Sequence, residues 1–205
     1  MAQSLLKRQH WLHSRLTERR ENGEEGFTLI ELLIVLLIIG ILLAIAIPTY
    51  LSVVGSASSN TALTNLQSAI TAGDAIYVES GGFPNSGSAA ANNSGMLSDL
   101  NNQGDGIDWM SSGTAVAVNT NQVGVLVINA GEVVYVAHGS GSTCYYVDDV
   151  KSGQAKYATT GTGTAATADG VGTYWGTTTT GSCIATNAGT ATGWTNQSPS
   201  ATTTT

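Results

Sequence analysis

The sequence predicts an α+β protein. A long N-terminal α-helix, apolar in its first half and amphipathic in its second, should pack on an antiparallel β-sheet of three to four strands. Three observations carry this expectation. Gly26 to Pro48 reads GFTLIELLIVLLIIGILLAIAIP, and from Leu32 to Ile47 it holds no charged or strongly polar side chain. Leu63, Leu66, Ile70, Gly73 and Tyr77 then recur at three- and four-residue steps, which is one face of a helix. After Gly113 the apolar period falls to two, in short runs divided by Asn- and Gly-containing turns.

The chain has 205 residues, enough for one domain beside a membrane helix. Five of its seven basic and four of its fourteen acidic side chains lie in residues 1–26. Two basic and ten acidic side chains remain beyond Gly26, so the body is acidic. That balance argues against direct nucleic-acid binding, which needs Lys and Arg to neutralise phosphates. The basic leader favours a cytoplasmic N-terminus, with the acidic body translocated. His10 and His13 have no evident third metal ligand.

Phe27 to Leu51 is about 25 residues, or about 37 Å of helix, which suffices to span a bilayer. Glu31 stands out within it. An ionisable group in a membrane helix costs at least ~2.5 kcal/mol and usually has a partner. No Lys or Arg follows before Lys151. A cut between Gly26 and Phe27 would supply an α-amino group four residues from Glu31, within one subunit or between neighbours.

Gly26-Phe27-Thr28-Leu29-Ile30-Glu31 followed by an apolar run resembles the processing signature of class III signal peptides. That signature is shared by type IV pilins and type II secretion pseudopilins. The resemblance implies that a prepilin peptidase cleaves after Gly26 and that Phe27 becomes N-methylated. It implies that Glu31 pairs with that N-terminus during assembly, and that Gly40 and Pro48 mark a place where the helix can bend. Pro48 removes a helical hydrogen bond in any case. Two other readings fit less well. An ordinary secretory signal could cut at Ala44-Ile45-Ala46, but Glu31 would sit in its apolar region and Pro48 beside the cut. An uncut signal anchor leaves Glu31 without a partner.

The expected organisation is a leader over 1–26, a membrane or filament-core half-helix over 27–53 and an amphipathic half over 54–80. A connecting loop over 81–113 is rich in Asn, Ser and Gly and pinned by Met96, Leu97, Leu100 and Trp109. Asp105 and Asp108 within it lack the spacing of a calcium loop and read as a solvated turn. The β-rich region covers 114–194, with runs at Ala115–Val118, Val123–Ile128, Glu132–His138 and Thr143–Val147. A flexible Ser/Thr-rich tail covers 195–205.

Cys144 and Cys183 are the only cysteines. An exported domain permits a disulfide, and two separate thiols are the alternative. The resemblance favours the bond, because many type IV pilins close their C-terminal region this way. It would close a loop of about 40 residues and stabilise by roughly 3–4 kcal/mol. Lys151, Lys156, Tyr157, Tyr174 and Trp175, between the cysteines, are expected on a variable surface. His138 reads as a turn or surface residue. With no phosphate loop, zinc cluster or catalytic triad, no enzyme and no cofactor are expected.

The resemblance therefore implies a structural subunit, a major pilin. It would lie in the inner or cytoplasmic membrane before assembly and in an extracellular homo-oligomeric filament afterwards. Its partners would be the prepilin peptidase, the pilus assembly machinery and minor pilins. Adhesion, motility and DNA uptake are all open as uses of the fibre. The alternative is a pseudopilin of a type II secretion system.

Overall fold

The computed structural model describes residues 26–84, 94–118, 120–157, 159–160, 167–168, 170–179, 182–197 and 199. The leader with His10 and His13, and most of the Ser/Thr-rich tail, lie outside them. The chain divides into two compact units, Met1–Pro48 and Thr49–Thr205.

Helix α1 runs from Leu29 to Ser80 and continues through Gly40 and Pro48. Within the first unit its large apolar side chains are all exposed. Among the described residues it is the one helix long and apolar enough to cross a membrane. In the second unit the same helix buries one stripe: Ser59, Ala62, Leu63, Leu66, Ala69, Ala72, Gly73 and Ile76. Ile70 and Tyr77, expected on that stripe, sit half-buried at its edge. Small residues at the centre of the stripe bring the helix close to the sheet. A Cβ added at Gly73 would overlap the hydroxyl of the fully buried Tyr135. The helix ends at Gly81, whose φ of 71° is the left-handed conformation that glycine adopts without strain. The chain then turns so that the Phe83 amide donates to the Ala130 carbonyl at 2.9 Å.

The expected loop over 81–113 is more ordered than its composition implied. It contains helix α2, Ser94–Asn102, which buries Met96 and Leu100 one turn apart. It also contains strand β1, Asp108–Met110. The apolar residues expected to pin the loop do so, through regular structure.

The main sheet has six strands where three or four were expected. They are β1, β2 (Gln122–Asn129), β3 (Glu132–His138), β4 (Cys144–Val150), β7 (Gly172–Thr178) and β8 (Thr192–Thr195), neighbours in that order. All pairings are antiparallel except β1 with β2, which is parallel. Strands β5 (Thr159–Thr160) and β6 (Thr167–Ala168) form a separate small ribbon.

Both faces of this sheet are covered. Val123, Val125, Val127, Val133, Tyr135, Ala137, Tyr145 and Val147 face the core that holds α1 and α2. Leu126, Val134, Val136, Cys144, Tyr146 and Val150 face a second core. That core is closed by Val116, by Ala155 and by a 3-10 helix, Ala185–Thr190, with Trp194 of β8. A strand buried on both faces needs no polar alternation, and β4 is buried at every position.

Two expectations are corrected here. Ala115–Val118 is not a strand. It crosses the second face, with the Val116 amide donating to the Cys183 carbonyl at 2.9 Å. The region between the cysteines is not all variable surface. It supplies β7, in which Trp175 is buried and packs in the helix-side core.

Candidate functional site

The N-terminal motif is built around the start of α1. Gly26 and Phe27 are exposed and precede the helix. Thr28 caps it. The Thr28 amide and hydroxyl both donate to Glu31 Oε2, each at 2.8 Å, and the Glu31 amide donates to Thr28 Oγ1 at 3.3 Å. This reciprocal capping box satisfies helix donors that have no partner within the helix. The sequence signal for it was present in Thr28-x-x-Glu31. Reading Glu31 only as a charge in search of a cation overlooked it. Two consequences follow from the geometry. The Gly26–Phe27 bond lies upstream of the box, so a cut there leaves every bond of the box in place. Both Thr28 donors also use the same oxygen, which leaves Glu31 Oε1 outside the box.

Cys144, at the start of β4, is bonded to Cys183 with 2.02 Å between the sulfurs. The bond fastens the segment that covers the second sheet face. Beside it Tyr146 donates its hydroxyl to the Ile184 carbonyl at 3.1 Å. Burial pushes that phenol up to about 12, against the hydrogen bond, which acts to lower it. His138 pairs with Cys144 across β3 and β4. It is no loose turn residue: its two ring nitrogens contact the carbonyls of Val116 and Gly141.

A charged cluster that the sequence reading missed joins α1 to the sheet. Lys151 Nζ lies 2.5 Å from Asp74 Oδ1 of α1 and 3.0 Å from Asp149 Oδ1 of β4. Asp149 is fully buried and also accepts the Thr173 hydroxyl from β7 at 3.0 Å. Burial raises the Asp149 carboxyl above the usual range, although the Lys151 charge works to lower it. Burial acts to lower the Lys151 ammonium. The Asp74 hydrogen bond and the Asp149 charge outweigh it, so the ammonium is raised. Nearby, Glu132 accepts from Asn129 Nδ2 at 3.0 Å and from the Lys156 amide. Asp148 accepts from the Tyr157 amide at 3.3 Å. These carboxylates hold loop backbone against the sheet. Asp105 accepts the Ile107 amide at 3.0 Å, and Asp108 accepts Gln122 Nε2 at 3.0 Å. Both serve local turns and pairing.

Comparisons with known proteins agree with the N-terminal sequence motif. Residues 22–47 match the family described as the prokaryotic N-terminal methylation motif. The chain is 45% identical over 69 residues to "Fimbrial protein Q" of Moraxella bovis, covering 34% of this chain and 43% of that protein. It is 45% identical over 58 residues to "Type IV major alpha-pilin" of Moraxella bovis, covering 28% and 36%. The chain thus spans less than half the length of each relative. No solved structure matches. The resemblance to type IV pilins read from Gly26 to Glu31 therefore holds, and the long helix on a mainly antiparallel sheet is a pilin-like α+β architecture.

Proposed function

We propose that this chain is the structural subunit of a type IV pilus. A prepilin peptidase cleaves between Gly26 and Phe27 on the cytoplasmic side, and the new Phe27 N-terminus is methylated. The helix spans the inner or cytoplasmic membrane, with the acidic β domain outside. Assembly machinery then moves the subunit into an extracellular filament, with residues 27–53 in its core. Gly40 and Pro48 give that half-helix a place to bend on packing. The observation that carries the reading is the Gly26-Phe27 junction, followed by Glu31 and an apolar half-helix whose side chains are all exposed up to Pro48.

The capping geometry supports a role for Glu31 between subunits. Oε2 holds the helix start, while Oε1 is left to meet the Phe27 ammonium of a neighbour. The pair can form without dismantling the cap. The names of the two relatives, a fimbrial protein and a major pilin, favour a fibre subunit over a secretion pseudopilin.

The test is mass spectrometry of surface fibres together with a Glu31→Ala variant. Fibres should contain this chain beginning at methylated Phe27. Glu31→Ala should still be cleaved and should accumulate in the membrane with few or no fibres. An unpaired buried ammonium at each contact costs about 3–5 kcal/mol. An N-terminus at Ile47, or wild-type fibre levels from cleaved Glu31→Ala, would remove this mechanism. A secretion defect on deletion, with fibres unaffected, would point to a pseudopilin.

A further inference from the structure

We propose that His138 is a proton-operated latch that holds the 114–118 segment over the second face of the sheet. The ring sits between two backbone carbonyls. Nδ1 lies 2.9 Å from the Val116 oxygen, and Nε2 lies 3.0 Å from the Gly141 oxygen. A carbonyl oxygen only accepts. A neutral imidazole has one N–H and one acceptor nitrogen, so it satisfies one of these contacts and sets a lone pair against the other oxygen. Only the imidazolium donates at both nitrogens. Both bonds therefore exist together when the ring carries two protons, and one is lost when it carries one.

The position makes this bond pair consequential. Val116 is tied at both backbone groups, its amide to Cys183 and its carbonyl to His138. Gly141 belongs to the tight β3–β4 turn, where φ is 61°. In that turn the Thr143 amide donates to the Ser140 carbonyl, and the Ser140 amide donates to Ser59 Oγ of α1. The latch thus connects the covering segment, the hairpin that docks on the helix and, through the Cys144 pairing, the disulfide. The surroundings carry little competing charge. Residues 114–118, the turn 139–143 and the 3-10 helix hold no titratable side chain. β4 contributes Tyr145 and Tyr146, with Asp148 and Asp149 towards its far end, and Cys144 is in the disulfide. The register that pairs Gly124 with Val136 directs Gln122 towards His138, and beyond Gln122 lies Asp108 of β1. Glu132 and Tyr135 share the His138 strand, six and three residues back.

The experiment is hydrogen exchange on the full chain in detergent micelles at about pH 5 and about pH 8, corrected for intrinsic exchange. Nitrogen NMR of the ring accompanies it, with the His138 signal identified by its loss in His138→Gln. Amides of 114–118 should be about tenfold better protected at the acid pH, the effect of one charge-assisted bond. Both ring nitrogens should carry protons there. His138→Gln should flatten the pH dependence in this segment while leaving β2 and β4 protected. A wild-type ring that is singly protonated at the acid pH would overturn the latch, as would equal protection of 114–118 at both pH values. Since the wild-type ring reports directly, a poorly folded variant does not blunt the test.

Discussion

Replacing Lys151 by Met tests the clamp between α1 and the sheet. Its ammonium is 2.5 Å from half-exposed Asp74 and 3.0 Å from Asp149, which is essentially removed from solvent. The two contacts differ in worth. An exposed pair contributes at most about 1 kcal/mol, so Asp74 is the minor partner. Leaving Asp149 buried without its cation costs about 3–5 kcal/mol, and among the described residues Thr173 remains as a compensating donor. We therefore expect Lys151→Met to lose about 3 kcal/mol at neutral pH. For a chain of this length that lowers Tm by roughly 6–12 °C. The pH dependence has a definite sign. Burial holds the native Asp149 carboxyl above its unfolded value, and removing Lys151 removes the largest opposing cause. A carboxyl raised in the native state binds more protons there than in the unfolded chain, so stability falls as pH rises through that interval. The loss should be greatest at neutral pH and shrink towards about pH 4, where the unfolded carboxyl also takes a proton. Adding Asp149→Asn to Lys151→Met should recover most of the loss at neutral pH. The assay is thermal unfolding in micelles, followed by near-UV circular dichroism across this range. A Lys151→Met protein within about 1 kcal/mol of wild type at neutral pH would refute the buried-charge account.

Gly73→Ala should destabilise by about 1–2 kcal/mol despite the better helix propensity of Ala, because the new methyl meets the Tyr135 hydroxyl. Adding Tyr135→Phe, which removes a buried hydroxyl that has no hydrogen-bond partner, should restore stability in the same unfolding assay. Cys183→Ser should cost about 4 kcal/mol through loss of the cross-link. Alkylation should find no free thiol in the native wild-type chain, and membrane insertion of the variant should be unaffected.

What the sequence disclosed followed from how local each signal is. The apolar run, the Gly26–Glu31 motif and strands β2 to β4 are contiguous patterns, and all were legible. Strand β7 was not, because Gly172–Thr178 is Gly- and Thr-rich and its burial comes from pairing along the whole length of β4. Trp175 was the available clue, since a tryptophan amid small polar residues is more often an anchor than decoration. Helix α2 hid behind Asn and Ser, although Met96 and Leu100 stand one turn apart. Ala115–Val118 failed in the opposite direction. Its alternation is that of a strand, yet it crosses the face of a sheet already paired by β1, held by the buried Val116 side chain and by the Val116 amide and carbonyl contacts to Cys183 and His138. The Lys151 clamp was invisible because its members, 74, 149 and 151, meet only after α1 docks.

The two halves of α1 leave the subunit with one unsolved problem, and its size decides what can solve it. Fifteen Leu, Ile and Val side chains between Leu29 and Ile47 are exposed. At about 1.5–3 kcal/mol each, keeping them in water would cost on the order of tens of kcal/mol. That exceeds the roughly 5–15 kcal/mol by which a folded domain is stable. The helix therefore belongs in lipid or against other apolar helices. The hydrophobic effect does not choose between those two, because lipid tails are as apolar as leucine. The choice falls to groups that lipid serves badly and a neighbouring subunit serves well. In the apolar half of the helix the charged group is Glu31, with one oxygen committed to Thr28 and the other outside the cap. A new ammonium at Phe27 is useful only after the cut and only to a carboxylate nearby. On the proposed reading, processing creates the partner that makes the filament preferable to the membrane. Glu31→Ala separates the two contributions, since it makes the helix more apolar and removes only the term that discriminates.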